Sequence, residues 1–313
     1  MKPRLVARRR FDGPAFDRLA ARYDVTVLDE DVRPAALTGS LRDVAAIWTV
    51  GEVVDEALLD AMPALRVVAN QGVGFNTIDV AATSARGVHL VIPRGGNADA
   101  VATHALGLLL ALRHRLPEAD AFIRSGRWAR RADGEPVGED VAGSTIGIVG
   151  MGAIGTEVAR RAHAFRMRVL YVNRSPRPGV DAELGARRVD LDTLLAAADH
   201  VCLNCPLTAE TAGLIGAREL ALMRPTAILI NVARGAIVDD PALVDALTAG
   251  RILGAGLDVF TDEPAVPAAL LDHPRVIVTP HVADLQTHVM EALTAAVVDG
   301  LLEAAAGAQT SAV

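Results

Sequence analysis

The segment "IGIVGMGAIG" places Gly150-x-Gly152-x-x-Gly155 directly after an apolar β-like run and at the start of a helical pattern. That spacing suits a backbone turn that receives a pyrophosphate. Gly150 permits the tight turn, Gly152 lets the phosphates reach the backbone, and Gly155 lets helix and strand approach. Met151, Ala153 and Ile154 complete the turn, and the free N–H groups of the helix start carry partial positive charge towards the anion. A little over twenty residues on, the next strand ends in "NRSPRP", with Asn173, Arg174, Ser175 and Arg177. A carboxylate usually stands there to grip the ribose of NAD, yet no Asp or Glu occurs between Arg168 and Val180. Guanidinium groups at this point suit the 2′-phosphate of NADP, and one charge-assisted bond of about 1.5–3 kcal/mol shifts preference by at least about tenfold. The expected cofactor is therefore NADPH/NADP+, with NADH/NAD+ as the weaker ligand.

A second set of groups is able to hold an anion and move a proton. Arg234 lies in "NVARGAIVD", Asp258 and Glu263 in "GLDVFTDEP", and His281 in "VTPHVAD". Taken singly, an Arg after a strand is a cap, Asp-Glu-Pro is a turn, and a His before a helix is a cap. Each of these, however, follows a β-branched run, so a parallel sheet delivers all of them to the rim where open α/β sheets bind ligands. "NQGVGFNTID" (70–79) is a further polar segment at a strand end.

The elements needed to position these groups are legible as alternating patterns. From Gly143 onward six strands are expected: 144–150, 168–173, 200–205, 227–232, 254–260 and 276–280. Helix-like segments lie between them, such as one with Ile154, Val158, Ala162 and Phe165 on one face. Strands with helical crossovers imply a parallel, doubly wound sheet covered on both faces. The first ninety-odd residues repeat the alternation in "RLVAR", "DVTVLD", "AAIWTV", "LRVVANQG" and "VHLVIP", a second and smaller αβα sheet. A long apolar helix over 98–116 bridges the halves, and the helical tail after Pro280 is expected to pack back on the first domain. The fold class is thus α/β with two doubly wound domains: a Rossmann cofactor domain (97–283) inserted into a smaller flavodoxin-like substrate domain (1–96 plus 284–313).

Composition agrees with a well-packed globular protein. Of 313 residues, 51% are hydrophobic and 22% charged, and the net charge of −7 gives no support to a role on nucleic acid. The run Arg8-Arg9-Arg10 reads as solvated. No apolar stretch approaches a membrane span, and no secretory h-region follows the first charges. The two cysteines form Cys202-x-x-Cys205, but on a strand residues three apart point to opposite faces, and no further Cys or His cluster completes a metal site. A reduced, cytoplasmic enzyme with no metal is expected.

The Gly-rich turn, "NVARG", "GLDVF-x-x-EP" and "TPH", in this order and spacing over nearly the whole chain, resemble the D-isomer-specific 2-hydroxyacid dehydrogenases. "NQGVGFNTID" and "NRSPR" resemble the NADPH-dependent glyoxylate, hydroxypyruvate and hydroxyphenylpyruvate reductases, with 2-ketogluconate reductases close by. The resemblance implies that His281 exchanges a proton with the substrate oxygen, that Glu263 holds the imidazole, and that Arg234 holds the carbonyl and carboxylate. It implies a carboxylate cradle at the N–H groups of Val73 and Gly74, and Asp258 beside the nicotinamide carboxamide. It also implies cofactor contacts at Cys205, Pro206, Thr211, Val232 and Ala233, and a homodimer in which Trp128 meets the partner site. The implied substrate is a small 2-oxoacid reduced to the D-2-hydroxyacid. The same fold also serves dinucleotide-binding corepressors, and other family members include phosphoglycerate, phosphite and formate dehydrogenases. Where the family often carries Gly-Ser after the histidine, this chain has Val282-Ala283-Asp284, so Asp284 either caps the next helix or lies near the substrate. Thr103 replaces the family's usual Glu. Arg94 is a further pocket candidate, whereas His104 carries no clear signal and His114, His163, His200, His273 and His288 read as surface or loop residues.

Overall fold

Twelve strands form among the described residues, all but one of them on runs rich in Val, Ile, Leu and Ala, because β-branched and aliphatic side chains fit a pleated, buried surface. The computed structural model describes residues 2–10, 14–28, 41–93, 95–130 and 134–306. Arg94 therefore lies outside the described residues. The chain divides into two units, Met1–Asn97 with Gln286–Val313, and Ala98–Leu285. Both chain ends belong to the first unit, so the second is an insertion into it.

In the first unit the strands are β1 (Arg4–Ala7), β2 (Asp24–Val27), β3 (Val44–Thr49), β4 (Val67–Asn70) and β5 (His89–Val91). They form a parallel sheet in the order β2-β1-β3-β4-β5, the flavodoxin-like arrangement. The helix Thr287–Ala305 sends Val297, Val298 and Leu301 into the same core as Leu5, Ala46, Trp48, Val67 and Val91, so the C-terminal tail completes this unit. Arg8 is not simply solvated: its Nε donates to Glu52 Oε1 at 2.9 Å, and both side chains are largely buried.

The second unit carries β6 (Thr145–Val149), β7 (Arg168–Val172), β8 (Arg187–Arg188), β9 (His200–Leu203), β10 (Ile228–Asn231), β11 (Gly254–Leu257) and β12 (Val276–Val278). All pair in parallel, in the order β12-β11-β10-β9-β6-β7-β8. The two-residue β8 brings the sheet to seven strands instead of the six expected, because two arginines show no apolar alternation. Burial on both faces follows from the period of two: Ile228 and Ile230 enter one core cluster while Leu229 enters the other. The helix Ala98–Arg113 contributes Val101, Ala105, Leu108, Leu109 and Leu112 to the first of these clusters. Cys202 is buried in β9 and Cys205 half-buried beyond it, both free, with their thiols pushed up by burial, Cys202 to about 12. No helix among the described residues is long and apolar enough to cross a membrane.

Candidate active site

The carboxyl ends of β6, β7, β9, β10, β11 and β12 open on one rim of the second sheet. After β6, Gly150 turns the chain with φ +98°, and a Cβ there would lie 2.7 Å from Cys205 N. A Cβ on Gly155 would meet Gly150 O at 2.1 Å, which forbids any side chain at that crossing. Around Gly152, by contrast, no atom lies within 4 Å of a Cβ position, so the space before the helix Ala153–Ala164 is open. That helix has no side-chain cap, which leaves its first N–H groups for an anion. These features fit a dinucleotide pyrophosphate. The Met151 side chain is buried in the core, Ala153 is exposed and Ile154 is half-buried.

Beyond β7, Asn173 turns inward rather than outward. Its Oδ1 accepts from Met151 N at 3.2 Å and its Nδ2 donates to Ser175 O at 2.8 Å, tying this loop to the Gly-rich turn. Arg174, Ser175 and Arg177 are exposed, and Arg177 N donates to the buried Tyr171 hydroxyl at 3.0 Å. After β9, Cys205 borders the Gly150 turn and Pro206 O accepts from Thr211 Oγ1 at 2.7 Å. Thr211 Oγ1 also accepts from Thr208 N, so it braces its own loop.

Asn231 ends β10 fully buried, and sequence reasoning did not single it out. Its Oδ1 accepts from Ala233 N at 3.1 Å and its Nδ2 donates to Arg234 O at 2.9 Å. This clamp fixes Val232 and Ala233, both buried, and sets the base of the Arg234 side chain. Burial pushes the Arg234 guanidinium down, while the charges of Glu263 and Asp284 raise it. Asp284 therefore acts on Arg234, and the following helix takes Gln286 as its N-cap, so Asp284 is not that cap.

His281 and Glu263 meet: Nδ1 lies 2.8 Å from Oε2, and Glu263 Oε1 accepts from Phe260 N at 3.0 Å. The Glu263 hydrogen bond raises the imidazole against the opposing effect of burial. Burial would raise Glu263, but the bonds from His281 and Phe260 outweigh it and hold the carboxyl below its usual range. With Nδ1 facing the carboxylate, the pairing favours the Nδ1–H tautomer and leaves Nε2 as the ring nitrogen not turned to Glu263.

The Asp258 carboxylate, which the resemblance places beside the nicotinamide carboxamide, has protein partners of its own. It is buried, and it accepts from Thr279 Oγ1 (2.5 Å), Val282 N (3.0 Å) and Ala283 N (3.0 Å). Its backbone O takes the His281 N–H at 2.9 Å. His281 itself has φ 51°, a left-handed conformation that this clamp maintains. His104 joins the same network, with Nε2 3.0 Å from Thr279 Oγ1 and 3.4 Å from Asp258 Oδ1. Its signal was hidden because the contact spans 175 residues. His200, read from the sequence as a surface or loop residue, is instead fully buried at the start of β9, with Nε2 3.1 Å from Ser144 Oγ.

In the first unit, Asn70 at the end of β4 donates through Nδ2 to Gly72 O (2.8 Å) and Gly74 O (2.9 Å). Among the described residues, the N–H groups of Val73 and Gly74 find no acceptor. Trp128, in the second unit, is 62% exposed.

Residues 106–283, more than half of the chain, match the family model described as D-isomer specific 2-hydroxyacid dehydrogenase, NAD binding domain. The chain is 43% identical over 289 residues to a glyoxylate reductase of Thermococcus gammatolerans, covering 90% of this chain and 86% of that one. It is 40% identical over 311 residues to the glyoxylate/hydroxypyruvate reductase B of Pectobacterium carotovorum subsp. carotovorum, covering 98% and 96%. Its structure resembles that of the NADPH-dependent glyoxylate/hydroxypyruvate reductase of Sinorhizobium meliloti, solved in complex with NADP and malonate. The TM-score is 0.88 at 37% identity, covering 97% of this chain and 93% of that one. The chain belongs to the D-isomer-specific 2-hydroxyacid dehydrogenase family, and is an oxidoreductase that works with a nicotinamide dinucleotide.

Proposed function

We propose that this chain reduces a small 2-oxoacid of the glyoxylate or hydroxypyruvate type to the D-2-hydroxyacid, with NADPH preferred over NADH. The observation that carries the reading is the His281–Glu263 pair at 2.8 Å, on the same rim as Arg234 and the Gly-rich turn. When bound, the reduced nicotinamide supplies a hydride to C2 of the substrate. His281, kept protonated by Glu263, donates its Nε2 proton to the oxygen that becomes the hydroxyl, and takes it back in the oxidative direction. Arg234 holds the carbonyl and carboxylate in a two-pronged grip. Within the first unit, the unengaged N–H groups of Val73 and Gly74 suit a carboxylate, and within the second the Gly-rich turn suits the dinucleotide, so we read the first as the substrate domain and the second as the cofactor domain.

The preference for NADPH rests on Arg174 and Arg177 in a loop that holds no carboxylate, and on the NADPH-dependent relative from Sinorhizobium meliloti. Asp284, acting on Arg234, favours a hydroxylated side chain and repels a second carboxylate. Asp258 serves this chemistry through the His281 loop, while Cys205, Pro206, Thr211, Val232 and Ala233 shape the cofactor wall. A cytoplasmic homodimer belongs to the same reading. Leu116, Ile123, Trp128 and Val137, each more than half exposed, lie within one segment of the second unit and are apolar side chains that a second copy would cover, which sedimentation would detect.

The test is the loss of nicotinamide absorbance with NADPH and NADH, each against glyoxylate, hydroxypyruvate, 2-ketogluconate and hydroxyphenylpyruvate. NADPH-preferring turnover that His281→Ala abolishes, with cofactor binding intact, supports the reading. Tight cofactor binding without turnover on any of them would favour a dinucleotide-binding regulator.

A further inference from the structure

We propose that Arg188 is a specificity-determining residue for the phosphorylated cofactor: it clamps the loop that carries Arg174 and adds a third cation to it. The inference rests on the NADPH reading above and deepens it.

Arg188 stands on β8, directly opposite Tyr171 of β7. Its Nε donates to Asn173 O and its Nη2 to Arg174 O, both at 2.9 Å. These are the first two carbonyls beyond β7, so the loop is held from the neighbouring strand at the point where the adenosine ribose is read. Asn173 carries the constraint onward, because its side chain accepts from Met151 N in the Gly-rich turn. The β8 strand, the Arg174 loop and the pyrophosphate turn are thus joined by a chain of hydrogen bonds. A fork of planar N–H donors can bridge two carbonyls in this way, whereas an ammonium is a point charge.

The charge is as informative as the clamp. Among the described residues no carboxylate forms an ion pair with Arg174, Arg177 or Arg188, although Arg160, Arg218 and Arg224 of the same unit are all paired. Two acids act on this region. Glu210 is held below its usual range by Thr208, with the Arg174 charge adding, and Asp181 acts on the Tyr171 hydroxyl. Three guanidinium groups against these leave a surplus of positive charge suited to a phosphate dianion. Neighbouring strand residues point to opposite faces, so Arg187 carries an equal charge away from the loop and serves as the internal control.

The experiment is a calorimetric titration of adenosine 2′,5′-bisphosphate and of AMP into the wild type and the R188Q, R188K and R187Q variants, followed by kinetics with NADPH. The wild type is expected to bind the bisphosphate more tightly than AMP. R188Q should lose about tenfold of that difference with AMP binding unchanged. R188K should recover part of it, and R187Q should retain it with kcat at saturating NADPH unchanged. If R188Q keeps the full difference while the wild type prefers the bisphosphate, this inference falls and the NADPH reading stands. If the wild type shows no difference, both fall. If R187Q loses as much as R188Q, bulk charge replaces the clamp as the explanation.

Discussion

Replacing Glu263 by Gln removes one charge from a 2.8 Å contact and keeps the shape, so it isolates what the carboxylate does to His281. A hydrogen bond to a charged partner is worth about 1.5–3 kcal/mol. The imidazole and carboxylate are 44% and 36% exposed, so solvent screening cuts this roughly in half, to about 0.8–1.5 kcal/mol. The carboxylate raises the imidazole, so its loss lowers it. On the proposed mechanism the protonated imidazole is the active form in the reductive direction, so kcat/KM should hold below its pKa and decline above it. Glu263→Gln should therefore shift the declining limb to lower pH, and the rising limb of the oxidative reaction in the same direction. The assay is kcat/KM for hydroxypyruvate at saturating NADPH across the neutral range, for both proteins. A limb that stays in place, even with a uniformly lower rate, would mean that Glu263 orients the ring without setting its proton affinity.

Asp258→Asn turns an acceptor into a donor against Thr279, Val282 N or Ala283 N. A buried unmade bond of about 1–3 kcal/mol should lower Tm, and the loosened His281 loop should lower kcat while NADPH Kd holds; wild-type kcat and Tm would refute the clamp. His200 is pushed down to about 4 by burial, with the Arg113 charge adding, against 6.5 in the unfolded chain. The unfolded state takes up its proton first, so stability is full above pH 6.5 and falls by about 3 kcal/mol towards pH 4. Denaturant unfolding at both ends should show His200→Gln to be flatter, and an equal slope would count against the assignment. Gly155→Ala sets a Cβ 2.1 Å from Gly150 O, so NADPH binding followed by fluorescence should weaken at least about tenfold or the fold be lost, whereas wild-type affinity would refute that close approach.

Arg234, Glu263 and His281 could be found in the sequence because each follows an apolar run that can only be a buried strand, and β10, β11 and β12 do bring them to one rim. The Gly-rich turn was legible for the same reason, since its spacing is a local property of the chain. What stayed hidden depends on contacts between distant segments. Asn231 reads as an ordinary polar strand end, and only the fold reveals it as a clamp on both sides of Ala233. The bonds that Thr279, Val282 and Ala283 give to the Asp258 carboxylate leave no mark in the sequence. His200 carries no local sign of burial, because its neighbours in β6 and β10 come from elsewhere in the chain. β8 is too short to generate any pattern, yet it supplies the arginine that holds the β7 loop.

The strand order also separates two properties that selection acts on. The loop with Arg174 leaves β7 and the Arg234 loop leaves β10, three strand spacings away, about 14 Å at ~4.8 Å per strand. At that separation and without a shared partner, substitutions contribute additively to the free energy of the transition state. If Arg174 reads the dinucleotide and His281 moves the proton, as proposed, dinucleotide preference can be redesigned while the proton-transfer step keeps its tuning. Combining Arg174→Ala with Glu263→Gln should cost the sum of the two single losses, so a lineage of such enzymes can change its reductant one substitution at a time.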